Sequence, residues 1–247
     1  VTVEGVTEGE SATKMLTDID AGADIFCFAQ DQLSSLKIAG AIGSLEQKFV
    51  REAKKTNSAG ACQAATINGE MYGFPMTSDN GYYMYYDKRV VPESDITDMT
   101  KIIADCKKAN KTINYCVFSN GFYSASYFMA TGCYSHWDID DATGKFIGYD
   151  DTYKAKGLPA MKALQELRKS GLVVNNDATN KLGSTAGVAI SGIWNYTPAK
   201  KALGDNLGCA PMPSFTVDGE SYHISSFSGY KLIGVKPSLD KNKVSSA

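Results

Sequence analysis

The segment from Asn68 to Lys88, NGEMYGFPMTSDNGYYMYYDK, organises the interpretation of the whole chain. It begins with Asn68-Gly69, which predicts a β-hairpin because both residues tolerate the positive φ angles of a type I′ turn. Six aromatic residues then flank the polar segment 77–81, TSDNG. Flat apolar rings beside short hydrogen-bonding groups suit a pyranose, which has an apolar CH face and a rim of hydroxyl groups. An alternative stays open, since aromatic residues also favour strands and would fill the core of an antiparallel pair.

Composition describes an ordinary globular protein and argues against several kinds of partner. The chain has 247 residues, of which 43% are hydrophobic and 21% are charged. This length predicts two domains or one large domain. A net charge of −2 without long runs of one sign argues against nucleic acid or an anionic membrane as the main partner, because both attract basic surfaces. The sequence also lacks the run of about 18 apolar residues that a membrane-spanning helix needs.

The six cysteines are widely scattered and form no CxxC pair. Structural zinc sites usually draw ligands from such closely spaced pairs, so we expect no metal. Cys27, Cys116 and Cys133 lie in or beside apolar runs and are predicted to be small buried hydrophobic residues. A disulfide between distant cysteines stays open.

The apolar pattern predicts alternating strands and helices. Residues 24–29, DIFCFA, are typical of a buried strand, with a helical pattern over 11–20 before it and a short helix that Asp31 could cap after it. This order predicts a parallel sheet. Further strands are predicted at 113–118, 186–191 and 227–235, and hairpin turns at Thr143-Gly144 and Asp218-Gly219. Helices are predicted at 99–106 and at 158–170, the second with Met161, Leu164 and Leu167 facing inward.

Three aromatic residues stand at or just after the ends of predicted strands, and each has a polar neighbour. The pairs are Phe28 with Asp31, Phe122 with Asn120, and Trp194 with Asn195. Ligand-binding groups in open α/β sheets cluster at the carboxyl ends of strands. We therefore expect a groove in which the rings stack on sugar rings while the polar neighbours bond the hydroxyl groups.

Signatures of catalysis are missing from the sequence. It contains two histidines and neither a GxSxG, a GxGxxG nor a Walker motif, so we expect no catalytic residue and no cofactor. A glycosidase would need two carboxylates facing a sugar. Asp31, Asp79, Asp138 and Asp140 could supply a pair, although a helix cap or a turn former is the favoured interpretation of each. A carbohydrate enzyme of the glycoside hydrolase type therefore stays as the alternative.

Four separated stretches resemble the solute-binding proteins of bacterial ABC sugar importers, in particular the maltose/maltodextrin-binding branch. Their order and approximate spacing also match, so the resemblance covers nearly the whole chain. The stretches are 24–31 (DIFCFAQD), 68–75 (NGEMYGFP) with 86–88 (YDK), 189–194 (AISGIW) and 227–235 (FSGYKLIGV).

The resemblance implies a periplasmic-binding-protein-like α/β fold of two lobes joined by crossing hinge strands, with the ligand in the cleft. Carried over to this chain, the first lobe comprises 1–78 and 227–247 and the second comprises 79–226. Family members begin earlier and continue further, so the resemblance implies a chain incomplete at both termini. A purely structural fragment with an incompetent cleft is a third possibility that the sequence leaves open.

The resemblance also implies ligand-binding residues. An aromatic residue stacks on sugar at the position of Phe28, and a carboxylate bonds hydroxyl groups at the position of Asp31. Asp79 or Asn80 matches an acidic contact position, and Trp194 matches the stacking tryptophan of the second lobe. The segment Asn120-Gly121-Phe122-Tyr123 matches a turn that typically holds Glu-Pro-Tyr-Phe, so Asn120, Phe122 and Tyr123 complete the expected set. The residue after Asp31 is often basic in the family and is Gln32 here, which leaves the identity of the sugar open.

The function implied is capture of a linear oligosaccharide, most simply a malto-oligosaccharide, and its delivery to the permease subunits of an ABC transporter. Such receptors work outside the cytoplasmic membrane, either in a periplasm or as cell-surface lipoproteins. In the lipoprotein case the membrane contact is a lipid on an N-terminal cysteine that this chain does not include.

Overall fold

The computed structural model describes residues 1–78, 80–140, 143 and 145–237. These residues fall into two compact units. The first unit contains residues 1–78, 80, 143 and 228–237, and the second contains 81–140 and 145–227.

Helices and strands alternate along much of the described chain, as the apolar pattern predicts. The helices are α1 (Glu8–Thr17), α2 (Leu33–Ile38), α3 (Gln47–Thr56), α4 (Ala59–Ala64), α5 (Met99–Lys108), α6 (Gly121–Ala130), α7 (Tyr153–Lys156), α8 (Leu158–Lys169) and α9 (Tyr196–Leu203). The strands are β1 (Ile25–Ala29), β2 (Thr66–Ile67), β3 (Glu70–Met71), β4 (Phe74–Thr77), β5 (Tyr82–Asp87), β6 (Thr112–Asn114), β7 (Ser135–Ile139), β8 (Phe146–Asp151), β9 (Val173–Val174), β10 (Ala186–Gly192), β11 (Leu207–Ala210), β12 (Ser214–Val217), β13 (Glu220–His223) and β14 (Lys231–Val235).

The sheet of the first unit is antiparallel, which corrects the parallel sheet predicted from the opening order of elements. Strand β14 lies between β1 and β4 and runs antiparallel to both. A strand from near the end of the described chain therefore separates two strands from its beginning. Sequence order could not reveal this insertion, because the pairing joins segments about 200 residues apart.

Alternate residues of β1 lie in the core of the first unit. Phe26 and Phe28 point inward, where they pack with Leu36 and Leu232. Cys27 points to the other face of the sheet and is exposed, because successive side chains of a strand face opposite ways. The prediction that Cys27 is buried was therefore wrong.

The Asn68-Gly69 hairpin is confirmed. The φ angles are 52° at Asn68 and 82° at Gly69, and β2 and β3 pair directly on either side of this turn. A second turn at Asp218-Gly219 has φ angles of 53° and 87° and joins β12 to β13, as predicted.

The second unit is built on a mixed five-stranded sheet in the order β11-β5-β10-β6-β9. Strand β10 is parallel to β6, and β6 is parallel to β9, whereas β5 runs antiparallel to both β10 and β11. All seven residues of β10 are buried, so this strand forms the centre of the unit. Helices α5, α6 and α8 contribute buried side chains to the same core, among them Ile102, Tyr127 and Leu167.

Several predicted boundaries differ from the structure. The strand predicted at 113–118 ends at Asn114 and gives way to a 3₁₀ turn over Cys116–Phe118. The strand predicted at 227–235 begins only at Lys231. Helix α8 buries Ala160, Ala163 and Leu167, while Met161 is 56% exposed. The inward orientation predicted for Met161 was wrong because small alanines, rather than the longest apolar side chains, define the packed stripe.

The segment after α6 forms an antiparallel pair of strands, β7 and β8. Of its predicted tip, Thr143 lies in a turn, whereas Gly144 lies outside the described residues.

All six cysteines are free thiols. Cys133 is buried, as predicted, whereas Cys116 is only half-buried. Within the described ranges, no helix is long and apolar enough to cross a bilayer.

Candidate functional site

The carboxyl ends of three parallel strands meet at one edge of the sheet of the second unit. Strand β6 leads into residues 115–123, β9 leads into 175–177, and β10 leads into 193–196. Strand β5 begins at the same edge, because Tyr82 is the register partner of Gly192. This edge is where open α/β sheets place their ligand-binding groups.

The carboxylate of Asp177 is the centre of a hydrogen-bond network at this edge. Its Oδ2 atom accepts from Ser191 Oγ at 3.1 Å, from Asn195 Nδ2 at 3.2 Å, from Tyr123 OH at 3.3 Å and from Trp194 Nε1 at 3.5 Å. Asn195 Nδ2 also donates to Ser191 Oγ at 2.8 Å. Side chains from β10, from α6 and from the turn after β10 are therefore fixed to one oxygen atom.

Burial explains why this network is ordered. Ser191 is completely buried, and a buried hydroxyl group is stable only when its hydrogen bonds are made. Tyr123 is almost as deeply buried, and burial together with the nearby Asp177 charge raises the pKa of its phenol well above the ordinary value. Tyr123 therefore stays protonated and remains a donor to Asp177.

The ring of Trp194 is held in place from two directions. Its Nε1 atom faces Asp177, and its six-membered ring lies over Gly192, where an added Cβ would sit 2.0–2.4 Å from ring atoms. Only a glycine permits this approach. The side chain is nevertheless 45% exposed, so the ring presents an ordered apolar surface to solvent.

A cluster of aromatic rings supports the segment after β6. Tyr82 packs against Phe122 and Tyr123 at centroid distances of 5.1 and 4.8 Å, and Phe122 stacks on Phe227 at 5.2 Å with an interplanar angle of 11°. Tyr82 OH donates to the carbonyl oxygen of Phe122 at 3.1 Å, and burial raises the pKa of Tyr82 to about 12. Phe122 is half-buried, and Phe227 is exposed at the end of the cluster.

Asn120 begins helix α6. Its Oδ1 atom accepts from the backbone N–H of Phe122 at 2.9 Å, which is the hydrogen bond of an N-cap. The side chain is exposed, and this cap fixes the direction in which Phe122 and Tyr123 leave the turn. The structure therefore brings Tyr123 and Trp194 together at Asp177, with Phe122 and Asn120 on the helix that supplies Tyr123.

Three further predicted site residues, Phe28, Asp31 and Asn80, belong to the first unit. Phe28 is 1% exposed and packs against Phe26 at 5.6 Å. A ring enclosed in this way has no face open to a sugar, so the stacking role expected for Phe28 is corrected to a core role. Asp31 is exposed in a 3₁₀ turn and accepts from Gln32 Nε2 at 3.0 Å, and it does not cap α2. Asn80 donates from its backbone N–H to the carbonyl oxygen of Gly229 at 3.4 Å.

Asp79 lies outside the described residues, so its predicted role has no structural account. Asp177, Ser191 and Gly192 were not predicted as site residues from the sequence. The available signal for Asp177 was the polar run Asn175-Asn176-Asp177 directly after the two valines of β9.

The arrangement can recognise a ligand that combines apolar faces with hydroxyl groups. Trp194 provides a stacking surface, and Asp177 and Asn195 provide an acceptor and an amide beside it. The two histidines lie on β7 and β13, outside this network. Across the described ranges, no cluster of three or more histidine, cysteine or acidic side chains could hold a metal ion.

Aromatic and hydrogen-bonding groups around a carboxylate at the carboxyl ends of strands are typical of ligand-binding α/β proteins. A family model described as bacterial extracellular solute-binding protein matches residues 1–247, so the chain belongs to that family. This finding confirms the predicted family, and it agrees with the predicted extracytoplasmic localisation. The comparison with curated proteins gave no match.

Solved structures agree with this assignment. A structure solved with acarbose is 30% identical and has a TM-score of 0.82, covering 98% of this chain and 62% of its own. The maltodextrin-binding protein MalE1 from L. casei BL23, solved without ligand, is 24% identical at a TM-score of 0.78, covering 100% and 64%. The Thermus thermophilus maltotriose-binding protein, bound with maltotriose, is 21% identical at a TM-score of 0.77, covering 99% and 66%.

These likenesses confirm the predicted periplasmic-binding-protein-like α/β fold. The chain spans 62%, 64% and 66% of the length of the three solved structures.

Proposed function

We propose that this protein is the substrate-binding component of an ABC sugar importer and that it captures a linear oligosaccharide. Binding and release of the sugar, with no bond made or broken, is the whole of its chemistry. The observation that carries the proposal is the convergence of Ser191, Trp194, Asn195 and Tyr123 on Asp177. It gives the second unit an ordered tryptophan face directly beside a carboxylate acceptor.

Each part of this arrangement suits one part of a sugar. The exposed ring of Trp194 would stack on the CH face of a pyranose. The Asp177 carboxylate would accept from hydroxyl groups, and charge-assisted hydrogen bonds of this kind are stronger than neutral ones. Asn120, whose side chain is exposed beside Phe122, would contribute a further polar contact.

A malto-oligosaccharide is the substrate that we propose. Two proteins of the same fold are a maltodextrin-binding and a maltotriose-binding protein, and a third, 30% identical, was solved with acarbose. The chain has its own aromatic residues, Trp194 and Phe122, at the strand ends where a glucan would lie.

The proposal includes the organisation of the whole protein. The first lobe comprises 1–78 and 227–247, the second comprises 79–226, and the sugar is held between them. Asp31 would approach it from the first lobe, and Asp79 and Asn80 from the beginning of the second. Delivery to the permease subunits of the transporter, at the outer side of the cytoplasmic membrane or as a cell-surface lipoprotein, follows from the same proposal.

Isothermal titration calorimetry with maltotriose tests this function. The wild-type protein should bind, and Trp194→Ala should weaken binding by roughly 2- to 12-fold, because an aromatic stacking contact contributes about 0.5–1.5 kcal/mol. Trp137→Ala is the matched control, since Trp137 is also exposed but lies on the β7–β8 hairpin. Equal affinity of the wild type and Trp194→Ala for every tested glycan would refute the assigned site.

A further inference from the structure

Asp177 has an unusual set of partners for a carboxylate. All four groups that donate to its Oδ2 atom are uncharged: a phenol, an aliphatic hydroxyl, an indole and an amide. These donors satisfy one oxygen atom of the carboxylate without supplying a positive charge that would neutralise it.

The second oxygen atom of Asp177 is open. Among the described residues, no side chain or backbone amide donates to Oδ1, and Asp177 is only half-buried, so this oxygen atom can accept from a ligand. Whatever occupies the site next to Trp194 therefore meets an accessible negative charge.

Cationic side chains on the surrounding segments either have other partners or are exposed. Lys200 of α9 donates to the carbonyl oxygen of Gly204 at 3.1 Å and lies 3.4 Å from Asp205. Arg168 of α8 lies 5.3 Å from the ring centroid of Phe118. Lys181 is exposed in the 3₁₀ turn after Asp177. Within the described part of the chain, none of them forms an ion pair with Asp177.

The neighbouring Trp194 ring also favours positively charged ligands. The face of an aromatic ring carries partial negative charge and attracts cations, most strongly for tryptophan. Trp194 is held next to Asp177 by its own Nε1–H, so a cation on the face of the ring would also lie near the carboxylate.

We propose that Asp177 makes this site select its ligands by charge, favouring a sugar that carries a protonated amine and disfavouring one that carries a carboxylate or a phosphate. Neutral sugars bind with intermediate affinity. The inference deepens the proposed function and rests on it for the identity of the ligand, while the electrostatic part can be measured without any sugar.

Collisional quenching of Trp194 fluorescence measures the local charge directly. In a Trp137→Phe background Trp194 is the single tryptophan, and quenching constants for caesium and iodide are compared at constant ionic strength. Replacing Asp177 by Asn should lower the caesium-to-iodide ratio roughly two- to fivefold, as expected for one charge a few ångströms away in a water-like dielectric. An unchanged ratio would overturn the proposal.

Three variants make this comparison specific. Asp177→Glu keeps the charge and should keep the high ratio. Asp218→Asn removes an exposed carboxylate at the β12–β13 turn, which pairs with Lys162 at 2.6 Å, and should leave the ratio unchanged. Circular dichroism checks that each variant folds, and Asp177→Ser replaces Asp177→Asn if the amide disrupts the network.

Ligand binding then tests the selection itself. Calorimetry compares maltotetraose with acarbose, which contains a secondary amine, and with maltobionate, which contains a carboxylate. Asp177→Asn should reduce the preference for acarbose over maltotetraose roughly fivefold and should relieve the discrimination against maltobionate. Equal losses for all three ligands would contradict charge selection while leaving sugar binding intact. Failure of the wild type to bind any sugar would instead overturn the proposed function, and the quenching ratio would still decide the charge.

Discussion

Replacing Gly192 by alanine tests whether the Trp194 ring is held where the structure places it. An added Cβ would lie 2.0 Å from Cζ3, 2.3 Å from Cη2 and 2.4 Å from Cε3 of Trp194. Ordinary contacts between carbon atoms are about 3.5–4.0 Å, so the ring must retreat by roughly 1.5 Å. The backbone itself can accept alanine, because φ at Gly192 is −92°.

This substitution should affect binding more than stability. Trp194 is an exposed side chain that can move aside, and alanine gains roughly 0.5–1 kcal/mol over glycine within a strand. We therefore expect the free energy of unfolding to change by less than about 1 kcal/mol. The displaced ring loses its contact with Asp177 and its alignment with a bound sugar, so affinity for maltotriose should fall roughly 2- to 12-fold.

The assay is fluorescence in the Trp137→Phe background, combined with urea denaturation. Gly192→Ala should shift the emission of Trp194 to longer wavelength and increase its quenching by acrylamide. Gly121→Ala is the matched control, because nothing lies within 4 Å of its added Cβ. If Gly192→Ala left both the emission and the quenching of Trp194 unchanged, the ring could not lie against Gly192 as described.

Two further predictions concern stability. Ile102→Ala should lower the free energy of unfolding by about 2–5 kcal/mol, because Ile102 is fully buried in the second unit. Ile103→Ala on the same helix should lower it much less, because Ile103 is only partly buried, and urea denaturation measures both values. Burial alone would raise the pKa of Asp87, but its hydrogen bonds and ion pair with Arg89 hold the pKa below its ordinary value of 3.8. Arg89→Ala should therefore lower the urea midpoint at pH 7, and this deficit should shrink as the pH falls through the native pKa of Asp87; a deficit independent of pH would contradict this linkage.

Local signals in the sequence predicted local structure well. The two Asx-Gly turns formed as expected because their φ angles depend on two residues only. The stripe of Met99, Ile102 and Cys106 is buried on α5 as its helical spacing predicts. Features that depend on pairing between distant segments could not be predicted from local sequence. The insertion of β14 between β1 and β4 is the main example.

The candidate site was likewise predictable where it depends on local sequence and not where it depends on distant contacts. Trp194, Phe122 and Tyr123 follow strands whose carboxyl ends share one edge, so their order along the chain was informative. Phe28 also ends a strand, but the two-residue alternation of β1 turns its ring into the core. Asp177 escaped prediction because β9 is only two residues long and because its partners lie up to 54 residues away in the sequence.

The central claim is that a sugar ring stacks on Trp194 beside Asp177. Titration of the Trp137→Phe protein with maltotriose, followed by the indole N–H resonance of its single tryptophan, tests this most directly. A saturable shift of that resonance is expected, and Asp177→Asn should weaken the binding that causes it. Binding of maltotriose detected by calorimetry in the same sample, with the indole resonance unmoved at saturation, would contradict it.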